Sequence, residues 1–409
     1  MKEVPFELQQ VYVTSDVNAI SQIASIDLEL NPVSSSQEVL TRVPGLFISQ
    51  HAGGGKAEQI FLRGFDVDHG TDIAITVDGL PVNMVSHAHG QGYADLHFLI
   101  PETIENIDFG KGPYYADHGN LNTAGYIDFK TKDKLENSIL GIEVGDFSTI
   151  RTFGLVNLIE GEVDQNAYIA TEFLSSDGPF ESPQDFVRMN LMGKYVKETE
   201  KGDRFSLLVT RFSSRWNASG QIPQRLLDSG TITRYGSVDD TEGGTTSRTI
   251  FALDHSKILS ENKFIKTRVY YSSYDFDLFS NFTFFLNDPI NGDQIRQSEE
   301  RTIMGYNSTL FGETEWNNNQ LKYESGIGIR YDDVDNVSLS HTLNRETVLE
   351  RFSYGNVDEI NISAFANLQY KSGNWIVNPG VRMDYFNFHY NDLLSMNRIN
   401  ASEAKYNLS

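Results

Sequence analysis

One segment of the chain, residues 83–97 (NMVSHAHGQGYADLH), combines side chains that can coordinate metals or hold ligands. Its functional groups recur at about every second position among small residues: His87, His89, Gln91, Tyr93, Asp95 and His97. On an extended loop, imidazole and carboxylate groups with this spacing can share one metal ion or bind a metal chelate. The pattern therefore makes these residues ligand-binding candidates and predicts His87, His89 and His97 as metal ligands.

Two other interpretations of the same loop stay open. The histidines can form hydrogen bonds within a packed loop or line an internal interface, or they can contact an organic ligand. A second loop, residues 66–72 (DVDHGTD), adds Asp68 and His69 to the ligand-binding candidates, and His51 is a weaker one. A metallohydrolase is disfavoured, because the sequence has no HExxH motif, nucleophile elbow or fixed ligand spacing.

Composition narrows the class of protein. The 409 residues include 33 Lys and Arg against 56 Asp and Glu, a formal charge of −23, and no cysteine. Such acidity argues against a nucleic-acid partner, and the lack of cysteine excludes disulfides, thiolate zinc sites and a cysteine nucleophile. No apolar run approaches the roughly 18–20 residues of a membrane-spanning helix. The first ten residues do not read as a signal peptide.

After about residue 135 the chain alternates apolar and polar residues at period two, which is typical of β-strands. Predicted strands lie at 139–147, 151–160, 166–174, 185–197, 204–216, 248–259, 264–279, 299–316, 320–332, 358–370 and 375–389. Several are long enough to cross a bilayer at a tilt. Short turns alternate with long loops, such as 217–247, 280–298 and 333–357, as in an outer-membrane β-barrel. Aromatic residues at strand ends, Trp216 and Trp316 among them, suit interfacial girdles. A soluble β-sandwich is the alternative.

Short motifs follow one another in the first 135 residues, among them 39–45 (VLTRVPG), 60–65 (IFLRGF) and 77–82 (VDGLPV). In this order they resemble the plug of TonB-dependent outer-membrane receptors, as its opening helix with a Pro-Gly exit, its IRGF strand and its DGxP turn. Residues 104–132 resemble the closing segment, with mild departures at Lys111 and Tyr126. Residues 6–14 (FELQQVYVT) resemble the TonB-coupling box, whose candidate residues are Phe6, Glu7, Leu8, Val11, Tyr12, Val13 and Thr14.

Several residues of these motifs are expected to be structural: Arg63, Gly64, Asp78, Gly79, Glu105, Gly112, Pro113 and Gly119. The glycines permit turns with positive φ or a close approach of neighbouring groups. Arg63 and Glu105 are charges in an otherwise apolar setting, and we expect them to pair with partners in the plug or the barrel wall.

The resemblance implies a mainly β protein: a coupling region at 1–20, an α+β plug domain at 21–135 and part of a transmembrane barrel at 136–409. A complete barrel would have about 22 strands, of which roughly 11 are predicted here, so the chain is expected to be a fragment. The implied function is not enzymatic. It is TonB-driven import across the outer membrane of a Gram-negative bacterium, in contact with lipid and with no intrinsic cofactor. The implied cargo is a siderophore-type iron chelate or another metal or metal complex. A non-metal organic ligand and a passive porin are the alternatives.

Overall fold

The computed structural model describes residues 22–24, 33, 35–50, 54–66, 69–159, 162, 164–394 and 400–409. The predicted coupling box, Asp68 and His51 lie outside these ranges. We call the described residues up to 135 the plug, and the large sheet that begins at residue 139 the wall.

The plug contains two small sheets and one short helix. Its elements are β1 (Gln22–Ala24), α1 (Ser36–Leu40), β2 (Leu46–Ser49), β3 (Gln59–Leu62), β4 (Phe65–Asp66), β5 (Ile73–Val77), β6 (Leu80–Pro81), a 3-10 turn (Pro101–Thr103), β7 (Ile104–Lys111) and β8 (Gly125–Thr131). Strands pair in the orders β1-β7-β8-β5-β6 and β2-β3-β4, and β5 runs parallel to β8. Ser35 caps α1 by accepting the Glu38 N–H at 3.3 Å, and Gly45 follows the helix with φ +84°. The predicted opening helix is therefore present.

The wall is one antiparallel sheet whose strands follow each other in chain order. They are β9 (Ile139–Gly145), β10 (Thr149–Ile159), β11 (Gln165–Ser176), β12 (Phe186–Glu198), β13 (Arg204–Ala218), β14 (Glu242–Ser260), β15 (Lys263–Ser280), β16 (Ile295–Trp316), β17 (Asn319–Leu343), β18 (Thr347–Ser372), β19 (Trp375–Val377), β20 (Gly380–Asp392) and β21 (Asn400–Leu408). A second short helix, α2 (Gln224–Asp228), lies between β13 and β14. Among the described strands, β9 and β21 form the edges and do not pair with each other. No helix in the described ranges is long and apolar enough to cross a membrane.

The two faces of the wall have opposite chemistry. Leu253, Val269 and Ile327 point away from the plug and are 51%, 51% and 54% exposed. The alternating polar residues, such as Arg268 and Asp332, are buried on the plug side. A soluble sandwich would bury its apolar face, so the arrangement contradicts that alternative. An apolar outer face and a polar interior are the pattern of a membrane barrel.

Several predicted boundaries in the wall are wrong. The predicted long loop 333–357 is instead the upper part of two strands, since β17 and β18 leave a turn of only residues 344–346. Polar residues hide these strands in the sequence, and the ladder continues through register shifts at 334/337, 339/340 and 341/342. Likewise, residues 400–408 form a strand, so the sheet has 13 strands rather than roughly 11. The remaining long connections, 219–241 and 281–294, lie at the end of the wall opposite the short turns.

Trp216 does not belong to an interfacial girdle. Its side chain is 3% exposed and packs towards the plug, where a Cβ on Gly55 would lie 2.0 Å from Trp216 Cε3. Trp316 and Trp375 are 57% and 77% exposed at the short-turn end, as a girdle position requires. Strand-end position alone cannot separate the two cases, because the face of the strand decides which surface an aromatic side chain meets.

The outer face gives the first prediction. Leu253→Arg places a charge within the apolar outer surface, and we expect it to destabilise the bilayer-inserted protein by about 2–4 kcal/mol. Ser260→Arg, an exposed position at the short-turn end, is the depth control, and should cost no more than about 1 kcal/mol. Urea midpoints of protein folded into phospholipid vesicles measure both effects. Equal effects of the two arginines would contradict a lipid-facing outer surface.

Candidate functional site

The 83–97 loop begins at a polar side chain that fixes its path. The Asn83 Oδ1 accepts the Ile75 N–H at 2.7 Å. Its Nδ2 donates to the carbonyl oxygens of Gly70, Ile73 and Gly92 at 2.9, 3.0 and 3.2 Å. One buried amide therefore joins the loop, the preceding 69–72 segment and β5. Sequence reasoning did not single out Asn83, although a polar residue directly after the DGxP turn is a signal for such a role.

His87 is packed between the plug and the wall. Its ring stacks on Tyr93 with centroids 4.1 Å apart, meets Phe276 of β15 edge-on at 4.5 Å, and has Nε2 3.2 Å from the Tyr274 hydroxyl. Tyr93 in turn accepts the Ala57 N–H at 2.8 Å. Burial, followed by the nearby Arg301 charge, lowers the pKa of His87 well below its ordinary value. His87 is therefore a neutral interface residue.

His89 and His69 bring two ring nitrogens face to face. Their Nε2 atoms lie 3.3 Å apart, so in the absence of a third group one nitrogen donates a proton to the other. The Nδ1 atom of His89 lies 2.9 Å from Oε1 of Gln297 at the start of β16. Burial, with a smaller contribution from Lys56, lowers the pKa of His89 to about 3. The pair can act as two neutral nitrogen ligands.

Asp95 and His97 form a separate buried pair that also contacts the wall. His97 Nδ1 lies 2.6 Å from Asp95 Oδ1, which also accepts the His97 N–H at 2.8 Å. Asn190 of β12 donates to the His97 carbonyl at 2.8 Å, and the imidazole lies parallel to the Phe212 ring. Burial opposes the charge of Asp95, but His97 holds the pKa of Asp95 below its usual range.

The structure does not bring the three predicted metal ligands, His87, His89 and His97, together at one point. His97 is engaged with Asp95, whereas His87 and His89 contact β15 and β16, and Gln91 is exposed. Within the described part of the chain, no group of three or more His, Asp or Glu side chains has the arrangement of a metal site. The wall contacts these histidines in two ways: Phe276 packs against the ring of His87, and Gln297 forms a hydrogen bond with His89.

Three arginines of the wall bind carbonyl oxygens of the plug, and we call them the carbonyl clamp. Arg248 donates to Pro81 and Val82 at 2.8 and 3.3 Å, Arg330 to Asn83 at 3.0 Å, and Arg301 to Ser86 at 2.6 Å. Arg301 and Arg330 also pair with Asp332 of β17, at 2.8 and 2.6 Å. Charge-assisted hydrogen bonds of this kind are about twice as strong as neutral ones.

One carboxylate and one amide complete the attachment of the loop to β16. Glu299 Oε2 accepts the Ala88 N–H at 2.8 Å, and Gln297 Nε2 donates to the Ala88 carbonyl at 2.9 Å. Both residues follow the long 281–294 connection, so the loop lies towards the long-loop end of the wall. Its side chains are nevertheless held by the wall rather than presented freely.

A second group of contacts joins other parts of the plug to the wall. Asp78 accepts the Thr131 N–H at 3.0 Å and its hydroxyl at 2.5 Å, while Lys194 of β12 donates to the Thr131 carbonyl at 3.0 Å. Arg151 of β10 donates to both carboxylate oxygens of Glu102, at 2.7 and 2.8 Å. The wall therefore contacts the plug through cations at several separate strands.

His118 forms a charged centre in the closing segment. Its Nδ1 lies 2.9 Å from Asp117 and its Nε2 2.9 Å from Asp128. Burial opposes protonation, but the two carboxylates hold the pKa of His118 well above its ordinary value. Arg382 of β20 donates to the Ala116 and Asp117 carbonyls at 3.2 and 3.3 Å, so this centre is also attached to the wall.

The motif glycines meet the expectation. Gly64, Gly79 and Gly112 have φ of +88°, +72° and +83°. A Cβ on Gly119 would lie 2.3 Å from the Arg382 guanidinium carbon, so that glycine leaves room for a wall arginine. Pro113 follows Gly112 and is exposed.

Arg63 and Glu105 differ from the expectation, because both side chains are exposed. Arg63 has φ +51° and forms, with Gly64, the two-residue turn between β3 and β4, which directs its side chain outwards. Glu105 lies at a register shift between β7 and β8, and a bulge of this kind re-aims a side chain.

A plug seated against the polar face of a wide antiparallel sheet defines a plugged β-barrel protein. Residues 14–126 match the family model of the TonB-dependent receptor plug domain, and residues 197–408 match that of the TonB dependent receptor-like beta-barrel. Since the second match covers more than half of the chain, the chain belongs to the TonB-dependent receptor family.

Named relatives agree with this assignment. "Vitamin B12 transporter BtuB" of Vibrio vulnificus (strain CMCP6) is 32% identical over 151 residues, which is 34% of this chain and 24% of that protein. The unliganded ferric citrate transporter FecA has a TM-score of 0.79 at 12% identity, over 94% of this chain and 58% of that one. The open form of the ferric-catecholate import receptor Fiu from E. coli K12 has a TM-score of 0.72 at 13% identity, over 95% of this chain and 65% of that one. The chain thus spans a quarter of the curated relative and less than two thirds of the solved ones. These structural likenesses show the fold alone.

Two glycines of the loop give a matched pair of variants. Gly92 has φ +70°, and a Cβ there would lie 2.5 Å from the Thr71 Cα, so Gly92→Ala combines backbone strain with a backbone clash. We expect a loss of at least about 1–3 kcal/mol in the free energy of unfolding. Gly90→Ala meets nothing within 4 Å and should be close to neutral. Thermal melts check this, and equal melting temperatures of both variants would show that the loop is not packed as described.

The neutral histidines give a pH prediction. An unfolded histidine has a pKa of about 6.5, whereas His89 in the folded protein has one of about 3. Below pH 6.5 the unfolded state binds more protons at this histidine than the folded state does. The contribution of neutral His89 to the free energy of unfolding is therefore complete above pH 6.5 and is lost as the pH falls towards 3. His89→Gln should therefore lose less stability than the wild type between pH 7 and 5. Denaturant midpoints at the two pH values measure the difference, and identical pH dependence would contradict a buried neutral His89.

Proposed function

We propose that this protein imports a scarce solute across the outer membrane of a Gram-negative bacterium, with energy delivered by TonB. The observation that carries the proposal is the plug, which is held against the polar face of an outward-apolar sheet by buried ion pairs and hydrogen bonds. No chemical reaction is part of this proposal: solute binding, displacement of the plug and release suffice.

The contacts between plug and wall favour gated import over passive diffusion. Clamp residues Arg248, Arg301 and Arg330, together with Arg151 and Lys194, attach the plug to five different strands. Breaking one partner of a buried charged contact costs about 3–5 kcal/mol. Opening therefore requires an external energy source, which a porin does not need.

For the cargo we propose a siderophore-type iron chelate or another metal or metal complex. The facing Nε2 atoms of His69 and His89 support this, because two neutral imidazoles can complete the coordination of a metal that reaches them with other ligands attached. Chelated iron is the cargo named for two proteins of similar fold, the ferric citrate transporter and the ferric-catecholate import receptor, and the proposal takes its cargo class from them as an analogy of fold. A non-metal organic ligand, such as a cofactor or a saccharide, is the second candidate. The vitamin B12 transporter relative favours a cofactor, although that relative is aligned over only 34% of this chain.

A binding panel tests the cargo class. The complete receptor in detergent is titrated with free metals, iron siderophores, cobalamin, haem and oligosaccharides. If a metal complex binds at the histidine pair, His69→Ala/His89→Ala should weaken binding by about tenfold or more. Gln91→Ala, an exposed change in the same loop, should leave binding unchanged. Binding of a metal-free ligand alone would favour the second candidate, and equal binding by both variants would remove the histidine pair from the site.

Energy coupling is tested separately. Deletion of residues 6–14 should abolish uptake by cells while leaving surface binding of the cargo nearly intact, because an extended segment can couple by adding to a partner's sheet edge. Uptake and binding of the same labelled cargo are measured in parallel. Loss of binding together with uptake would show that the segment is needed for the fold rather than for coupling.

A further inference from the structure

We propose that a cavity between the plug and the wall binds a small oxoanion such as inorganic phosphate. The cavity has a volume of about 120 Å³ and lies next to the Asp78–Gly79 turn, on the face of the wall that contacts the plug. Its wall side is formed by β12–β15, near the short turns. This site is distinct from the histidine loop and does not depend on the proposed cargo.

The charged groups around the cavity are unevenly matched. Five cationic side chains and four carboxylates line it. Each carboxylate is already engaged. Asp254 lies 2.6 Å from Arg268, and Asp133 lies 3.0 Å from Lys194 and 2.7 Å from Arg204.

The two remaining carboxylates are occupied within the plug. Asp78 accepts from the backbone and hydroxyl of Thr131. Asp128 accepts from the Thr76 hydroxyl at 2.7 Å and contacts His118 at 2.9 Å. The acidic groups are therefore committed to other partners.

Two cationic donors of the wall are not committed. Over the described ranges, no hydrogen-bond or ion-pair partner contacts the Lys266 ammonium, which lines the cavity. The Arg268 Nε is buried and also has no hydrogen-bond acceptor among the described residues. A half-buried ammonium and a buried guanidinium N–H that lack acceptors are unfavourable, and an oxoanion would supply acceptors to both residues.

The cavity is lined by residues of both the plug and the wall. Lys266 and Arg268 belong to β15 of the wall, whereas Lys130, which also lines the cavity, belongs to β8 of the plug. An oxoanion between them would join plug and wall through charge-assisted hydrogen bonds, so its binding should stabilise the seated plug.

The test is a phosphate titration of the receptor in detergent, with chloride replacing phosphate at equal ionic strength as the reference. Thermal midpoints should rise with phosphate concentration beyond the chloride reference. Lys266→Gln should raise the half-saturating concentration by about tenfold or more. Lys257→Gln is the matched control, because Lys257 is exposed on the neighbouring strand, where it pairs with Ile265 rather than lining the cavity. It should bind as the wild type does.

Two further variants keep the test decisive if Lys266→Gln does not fold. Lys266→Arg keeps the charge and should retain phosphate binding. Asp254→Asn removes the carboxylate that competes for Arg268 and should lower the half-saturating concentration. A wild-type midpoint that follows chloride alone would overturn the proposal. So would equal phosphate responses of the Lys266→Gln and Lys257→Gln proteins, or weaker binding by Asp254→Asn.

Discussion

The contact between the Arg248 guanidinium and the carbonyl oxygens of Pro81 and Val82 is the interaction on which the interface depends most. Arg248 is 3% exposed, stands 4.9 Å from the Phe98 ring centre, and has no carboxylate within ion-pair distance among the described residues. Unlike Arg301 and Arg330, it has only plug carbonyls, an aromatic face and the Ser272 hydroxyl to balance its burial. Without the plug Arg248 would lose both carbonyl acceptors and the Phe98 ring, so these contacts favour the seated plug.

The plug presents those carbonyls because of two local devices. Asp78 and Gly79, with φ of +51° and +72°, form a tight turn between β5 and β6 that leaves the following carbonyls facing the wall. The buried Asn83 side chain then satisfies backbone groups of β5 and of its two neighbouring segments, so the chain cannot relax away from the arginines. Strained or glycine-dependent turns persist where the surrounding structure holds them. The DGxP motif thus positions the carbonyl oxygens that accept hydrogen bonds from Arg248.

The parts of this arrangement that follow from local pattern could be predicted from the sequence. Alternation over many residues predicted the wall strands, and the Gly64 and Gly79 turns followed from residue type. Strand ends were missed where polar residues meet bulges, as in the β17–β18 hairpin. The carbonyl clamp was missed because Arg330 is one of many polar residues in an alternating strand. Its partner Asn83 lies 247 positions away, so local pattern does not indicate the contact. The histidine loop was found, but sequence cannot tell whether an imidazole meets a ligand or the rings of Tyr93 and Phe276.

The central claim is that arginines of the wall hold the plug through its backbone carbonyls. Amide hydrogen exchange of residues 79–86 in the complete receptor tests it most directly, because exchange reports local opening of that segment. Arg248→Met should accelerate exchange there while leaving β7 unchanged. Arg211→Met, an exposed arginine whose partner Thr249 is adjacent to Arg248 in the chain, should have no effect. Unchanged exchange of residues 79–86 in Arg248→Met would contradict the account.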